Sequence, residues 1–208
     1  MRKVHIVGLG PGSRDYLTLK ALKVIQKADV LIGARRHLSL FSKFKKKTIY
    51  LKENYSKVLK FILQNKDKKN LAVLVSGDPG IFSFSAQITK RLKPYEYEVV
   101  PGISSLQLSF ARIGESWEDV IIFSLHGRTK RGLKDAVSGH KKVFLLTDKK
   151  NNPRDIASFL FRKGIRKRKV FVFKNLSLGD EEIIKTDVET IKDSKDNWNE
   201  LCVMLIKK

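Results

Sequence analysis

The sequence predicts an α/β protein built as two small α/β domains with mainly parallel sheets and a cleft between them. Three observations carry that prediction. Short β-branched runs alternate with segments of helical period along most of the chain. One of those runs, Leu71–Val75, is apolar at every position, as a strand covered on both faces must be. A polar, turn-rich stretch, Gly114–Asp119, interrupts the alternation near the middle of the 208 residues. The expected domains are 1–114, which carries the glycine-rich loops, and 115–208, with a mixed sheet.

Each element follows from its own pattern. Lys3–Val7 reads as the first strand, and Leu17–Ala28 as a helix whose Leu17, Ala21, Val24, Ile25 and Ala28 fall on one face while Lys20, Lys23 and Lys27 point away. Strand Val30–Ile32, a short helix Arg35–Phe41, strand Thr48–Leu51 and helix Tyr55–Gln64 come next. After the apolar strand, a helix is expected from Ile81 to Leu92, then strand Tyr97–Val100 and helix Leu106–Arg112. Beyond the break, strand Val120–Phe123, helix Lys130–Val137, strand Lys142–Leu146, helix Pro153–Arg162 and strand Lys169–Phe173 repeat the alternation. The runs Glu181–Lys185 and Leu201–Ile206 then follow with little helix between them, which predicts antiparallel members in the second sheet.

Composition narrows the function classes. Lys and Arg number 43 against 21 Asp and Glu, a net charge of +22, so the surface favours anionic partners. A single cysteine, Cys202, excludes an internal disulfide framework and a cysteine-based zinc site. The four histidines, His5, His37, His126 and His140, show no ligand spacing, and no metal is expected. No segment has the length of a signal-peptide core or a membrane span, and a cytoplasmic protein is expected. The lysine runs lack the interleaved aromatics or recognition helix of a nucleic-acid module. A basic nucleic-acid-binding module is therefore the alternative rather than the expectation.

Four strand ends hold the chemistry-bearing residues. Gly8–Leu9–Gly10–Pro11–Gly12 follows the first strand; its spacing is neither the dinucleotide fingerprint nor a phosphate loop, and it fits a ligand's approach to main-chain atoms or a plain turn. In Ser76–Gly77–Asp78–Pro79–Gly80, Asp78 is placed to accept a ribose hydroxyl, to cap the next helix, or both. Val100–Pro101–Gly102–Ile103–Ser104–Ser105 offers hydroxyls for capping or for a ligand. A parallel sheet would bring these three loops to one edge. In Ser124–Leu125–His126–Gly127–Arg128, His126 and Arg128 suit a carboxylate; the Gly127–Gly132 spacing lacks the lysine of a phosphate loop.

Taken together, these loops resemble the signatures of the tetrapyrrole methylase family. The likeness runs over essentially the whole chain: Val7–Gly12 followed by Leu17–Ala21, then Ser76–Gly80, then Val100–Gln107. Ser124–Arg128, Leu146–Asp148 ahead of Pro153, and Asn175–Glu181 resemble the branch that methylates C5 of a corrin precursor in cobalamin synthesis. The alternative within the family acts at another ring position or on diphthamide.

The resemblance implies S-adenosyl-L-methionine as cofactor, contacted by Leu9, Gly77, Asp78, Ile81, Ser104, Ser105 and Leu146. It implies an anionic tetrapyrrole substrate, for whose carboxylates Arg35, Arg36, His126 and Arg128 are the candidate anchors. A homodimer is implied as well, and a separate C15-methylating decarboxylase as a partner. The family's Asp-Pro-Asp ahead of the Leu-Thr-Leu stretch is here Ser13–Arg14–Asp15, so only Asp15 keeps its place. Asp15 is the candidate proton acceptor or ring-nitrogen partner, with helix-start capping as its other reading.

Overall fold

The computed structural model describes residues 2–196, 198 and 201–208. The chain forms two compact units, one ending at Ser104 and the other running Ser105–Lys208.

The first unit is built on five parallel strands: β1 (Val4–Gly8), β2 (Val30–Gly33), β3 (Lys47–Tyr50), β4 (Leu71–Val75) and β5 (Tyr97–Val100), in the order β3-β2-β4-β1-β5. The register aligns their carboxyl ends. Gly8 lies opposite Val75, Val7 opposite Val100, and Gly33 opposite Leu74. Helices α1 (Leu19–Lys27), α2 (Arg35–Ser39), α3 (Tyr55–Asn65) and α4 (Ser85–Thr89) join the strands. Alternation along each strand feeds two cores. Val4, Ile6, Ile32 and Val73 pack with Ile62 of α3 and Ile88 of α4, while Val7, Leu31 and Leu74 pack with Ala21 and Ile25 of α1. Thr18 starts α1 by accepting the Ala21 N–H at 3.1 Å.

The second unit holds α5 (Ser105–Ile113), β6 (Val120–Ser124), α6 (Leu133–Gly139), β7 (Lys142–Leu146), α7 (Pro153–Arg162), β8 (Lys169–Lys174), β9 (Glu182–Asp187), α8 (Val188–Ile191) and β10 (Cys202–Lys207). Its sheet order is β6-β7-β10-β8-β9; β6 and β7 are parallel and every other pairing is antiparallel. The mixed sheet expected from the closing strand runs is thus present. Leu133, Val137, Ile156 and Leu160 of α6 and α7 pack on Val143, Leu145, Val172 and Met204.

Two expectations change. The units divide between Ser104 and Ser105, ahead of the expected break at 114/115, because α5 joins the second unit. Its Phe110 ring lies 6.3 Å from that of Phe144 in β7, with the Lys142 amino group over it at 5.8 Å. The expected helix from Ile81 begins only at Ser85, because Phe82 takes a left-handed backbone, φ 43°. Among the described residues no helix is long and apolar enough to cross a membrane.

Candidate active site

Three turns meet at the carboxyl edge of the first sheet. Leu9 N–H donates to the Val75 carbonyl at 3.0 Å, and Gly10 and Gly77 exchange backbone bonds at 3.3 and 2.9 Å. The contact is so close that side chains are excluded. A Cβ on Gly8 would meet the Gly77 carbonyl at 2.6 Å and the Gly102 nitrogen at 2.7 Å, and one on Gly102 would meet the Gly77 carbonyl at 2.4 Å. The glycines therefore serve loop-to-loop contact, a stronger requirement than turning the chain.

Asp78 fastens the arrangement. Its Oδ1 accepts the Gly80 N–H at 2.7 Å and its Oδ2 accepts the Gly102 N–H at 3.1 Å. Because α4 starts at Ser85, Asp78 does not cap that helix. It joins the loop after β4 to the loop after β5, across β1. An ionised carboxylate has about four lone-pair directions; the backbone takes two here, so the half-buried group can still accept a ligand's hydroxyls. Ile81 follows in a turn, its N–H on the Asp78 carbonyl at 3.2 Å. Ser104, 3% exposed, ends the unit in the loop after β5, and half-buried Ser105 opens α5.

The remaining residues of this edge are more open. Asp15 is exposed in a one-turn 3₁₀ segment, where the Ser13 hydroxyl donates to its Oδ2 at 2.8 Å. Arg35 and Arg36 are exposed on α2, directly after β2. His37 beside them is different. Burial, with the Arg36 charge, holds its pKa down to about 4 despite the facing Leu74 carbonyl, so the ring is neutral at pH 7. Its Nδ1 is buried without a partner.

Phe82 carries an aromatic side chain at positive φ, a conformation that costs a non-glycine residue about 1–3 kcal/mol.

The second unit has its own knot at the carboxyl ends of β6 and β7. Asp148 Oδ2 accepts the Gly127 N–H at 2.6 Å, while Oδ1 accepts those of Lys150 at 2.9 Å and Asn151 at 2.6 Å. Burial pushes this carboxyl up, but the backbone donors outweigh it and hold the pKa below the usual carboxylate range. The Asn151 amide donates to the Leu125 and Arg128 carbonyls at 2.9 and 3.1 Å. His126 has its Nδ1 3.3 Å from the Thr147 carbonyl, so that nitrogen is placed to carry the proton. The Leu146 carbonyl accepts the Leu125 N–H at 2.9 Å. The His126 and Arg128 side chains are exposed on this braced turn.

The structure thus gathers Leu9, Gly77, Asp78, Ile81 and Ser104 at one edge, and Leu146, His126 and Arg128 at another. Sequence reasoning gave no role to the Gly102 N–H, His37, Phe82, Asp148 or Asn151, although Gly102 and Asp148 lie in stretches it singled out. Asp148 had a signal in its own position, at a strand end ahead of Pro153. A main-chain donor such as Gly102 N–H leaves none. Among the described residues, no group of three or more His, Cys, Asp or Glu is placed to hold a metal ion.

The whole-chain comparison decides the family. Residues 3–192 match the family model described as Tetrapyrrole (Corrin/Porphyrin) Methylases. The chain belongs to the tetrapyrrole methylase family. A relative from Methanocaldococcus jannaschii, named probable cobalt-precorrin-7 C(5)-methyltransferase, is 35% identical over 206 residues, covering 96% of each chain. A precorrin-6Y C(5,15)-methyltransferase [decarboxylating] from Sinorhizobium sp is 26% identical, covering 86% of this chain and 43% of its own length. The fold of this tetrapyrrole methylase is shared with uroporphyrin-III C-methyl transferase from Thermus thermophilus, solved in complex with S-adenyl homocysteine. That match has a TM-score of 0.81 at 20% identity and covers 99% of this chain and 97% of the other.

Proposed function

We propose that this tetrapyrrole methylase transfers a methyl group from S-adenosyl-L-methionine to C5 of cobalt-precorrin-7, in cobalamin biosynthesis. The observation that carries the proposal is the Asp78 clasp: a carboxylate with two acceptor directions still open, at an edge where three turns present main-chain atoms. Its chemistry fits the donor, whose ribose diol needs an acceptor and whose adenine needs backbone partners. Leu9, Gly77, Asp78, Ile81 and Ser104 would hold the donor, with Ser105 and Leu146 as further contacts. When bound, it supplies an electrophilic methyl on a sulfonium.

The meso carbon of the acceptor is made electron-rich by conjugation with the ring nitrogens, so the chain needs no covalent nucleophile. Its residues act by holding the reacting atoms in line and excluding water, and orientation of this kind is worth several kcal/mol of barrier. Arg35, Arg36, His126 and Arg128 are the proposed grips for the acceptor's rim carboxylates, where guanidinium forks match carboxylate geometry. Asp15 is the proposed carboxylate for the proton released at C5 or for a ring nitrogen. C15 methylation and decarboxylation would fall to a separate protein, a division supported by the longer relative that carries both positions in its name. A homodimer and a cytoplasmic location complete the reading.

The test is incubation of the protein with cobalt-precorrin-7 and methyl-labelled S-adenosyl-L-methionine, followed by location of the label by NMR. Label at C5 is expected. Label at another ring carbon would move the protein to another branch of the family. Absence of transfer, together with no thermal stabilisation by saturating S-adenosylhomocysteine, would overturn the methyltransferase reading. A ligand at 100 times its Kd stabilises the folded state by about 2.7 kcal/mol.

A further inference from the structure

A charge of +22 is more than the rim carboxylates of one acceptor require, and one end of the second unit gathers a dense share of it. Six of the eight residues from Arg162 to Lys169 are basic. They lead into β8, which runs antiparallel to β10, as β7 does. The amino end of β8 therefore lies at the sheet edge opposite the Gly127–Asp148 turn. Other segments converge on the same edge. Val188 N–H donates to the Arg168 carbonyl at 3.1 Å, the Arg168 guanidinium reaches the Ser138 carbonyl at 3.5 Å, and Lys208 N–H donates to the Lys141 carbonyl at 3.0 Å. A cavity of about 250 Å³ opens among Arg166, Lys167, Arg168, Lys169, Asp187 and Glu189.

The nearby carboxylates do not neutralise this edge. Asp119 and Glu115 hold Lys142 and Lys207, and Asp187 caps α8 by accepting the Thr190 N–H at 2.8 Å. Among the described residues, Arg162, Lys163, Arg166, Lys167 and Lys169 form no ion pair. Lys169 has Lys207 as its register partner on β10, a placement in which like charges repel.

Two features say what kind of anion fits. Phe161, beside the basic run, already meets the Arg166 guanidinium at 4.9 Å and the Lys192 amino group at 4.7 Å, so it is not an open platform for a base. Asp187 and Glu189 on the cavity wall repel a phosphate backbone. A polypeptide can set a lysine against them while its carboxylates take the guanidinium forks.

We infer that this edge is a docking surface for an acidic segment of a partner protein, one that presents clustered Asp and Glu side chains with a basic residue among them. The surface lies at the end of the sheet away from the His126–Arg128 turn, so a docked partner leaves that turn clear. The inference goes beyond the methyl-transfer reading and does not depend on it.

The test compares three probes at about 0.15 M salt: a fluorescein-labelled polyglutamate peptide, an RNA duplex of the same net charge, and phosphatidylglycerol vesicles. Arg166→Gln/Lys167→Gln/Lys169→Gln removes charge from the edge. Lys43→Gln/Lys57→Gln/Lys60→Gln removes the same charge from exposed positions of the first unit. Expected is peptide binding by wild type, weakened about tenfold or more in the edge variant, the scale of close charge pairs across an interface. The first-unit variant should stay within about twofold, because salt screens charge beyond roughly 8 Å. Both variants should keep the wild-type melting temperature and affinity for S-adenosylhomocysteine. Equal losses in the two variants would reduce the surface to net charge and overturn the inference. Tighter binding of the RNA or the vesicles than of the peptide would assign the edge to phosphate groups instead, and a wild-type protein that ignores the peptide would leave no docking surface.

Discussion

Gly102→Ala tests the convergence of the three turns most directly. The added carbon would lie 2.4 Å from the Gly77 carbonyl and 2.7 Å from the Gly8 carbonyl carbon, both backbone atoms. An ordinary contact needs nearly 1 Å more, at about 3.5 Å between non-bonded atoms. If Gly77 retreats, its paired bonds with Gly10 stretch; if Gly102 retreats, its N–H leaves Asp78 Oδ2. Either route loses a backbone bond worth about 1 kcal/mol, on top of about 1–3 kcal/mol of overpacking strain. The expected loss is about 2–4 kcal/mol, or roughly 4–16 °C in melting temperature for a chain of this size. Donor affinity should fall with it, because the edge itself is displaced. The assay is thermal melting followed by circular dichroism, with and without S-adenosylhomocysteine. Gly139→Ala is the control: it ends α6 with open space around its Cβ and should stabilise by about 0.4–1 kcal/mol. A Gly102→Ala protein that melts within 1 °C or so of wild type and binds the donor product normally would refute the packed-turn account.

Asp78→Ala strands the Gly80 and Gly102 N–H groups and should weaken S-adenosylhomocysteine binding at least tenfold by calorimetry; undiminished affinity would make Asp78 a purely structural clasp. Asp148→Ala removes the acceptor of three backbone donors and should lower stability by about 1–3 kcal/mol, while raising KM for the acceptor through the loosened His126–Arg128 turn. An effect on stability alone would remove that turn from the substrate site. His37 gives a pH signature. Its folded pKa, about 4, lies below the ordinary 6.5, so the unfolded chain takes up its proton first as pH falls. Stability is full above pH 6.5 and drains towards pH 4, by about 2 kcal/mol between pH 7 and 5. Urea titration of wild type against His37→Gln isolates this component, and equal pH slopes in the two proteins would show that the ring is not held neutral.

What the sequence made legible was whatever local pattern dictates. Leu71–Val75 declares a central strand because no position tolerates water, and the helix expected over Leu17–Ala28 is present as Leu19–Lys27, its start set by the Thr18 cap that the apolar spacing did not mark. The glycine turns were visible as turns. Their mutual contact was not, since the partners of Gly8 and Gly102 are backbone atoms far along the chain. The helix expected from Ile81 shows the limit from another side. Its apolar spacing is helical, but the Ser83 and Ser85 hydroxyls hold the Pro79 carbonyl and offer the backbone a competing shape. The division at Ser104 escaped for a related reason. The polar stretch after Gly114 looks like a linker, yet the Phe110–Phe144 contact ties α5 to the strands that follow.

The two clasps also bear on the charge excess. Basic residues outnumber acidic ones 43 to 21. Surface ion pairs are present, as between Lys142 and Asp119, and are worth little once salt screens them. Asp78 and Asp148 instead accept neutral backbone N–H groups, in each case including that of a glycine on another strand-end turn. A charge held by fixed backbone dipoles needs no second, flexible side chain to be ordered, so the turn it braces keeps its shape across ionic strengths. Arg35, Arg36 and Arg128 are exposed residues at such strand ends. On the proposed function, a polycarboxylate acceptor would meet positive charge carried on these strand ends. The prediction that separates this from diffuse attraction is kinetic. Raising salt should slow capture of the acceptor, by screening the long-range +22 field, while kcat, set by the braced turns, holds steady. A kcat that falls in step with capture would mean that the geometry itself depends on the surface charge.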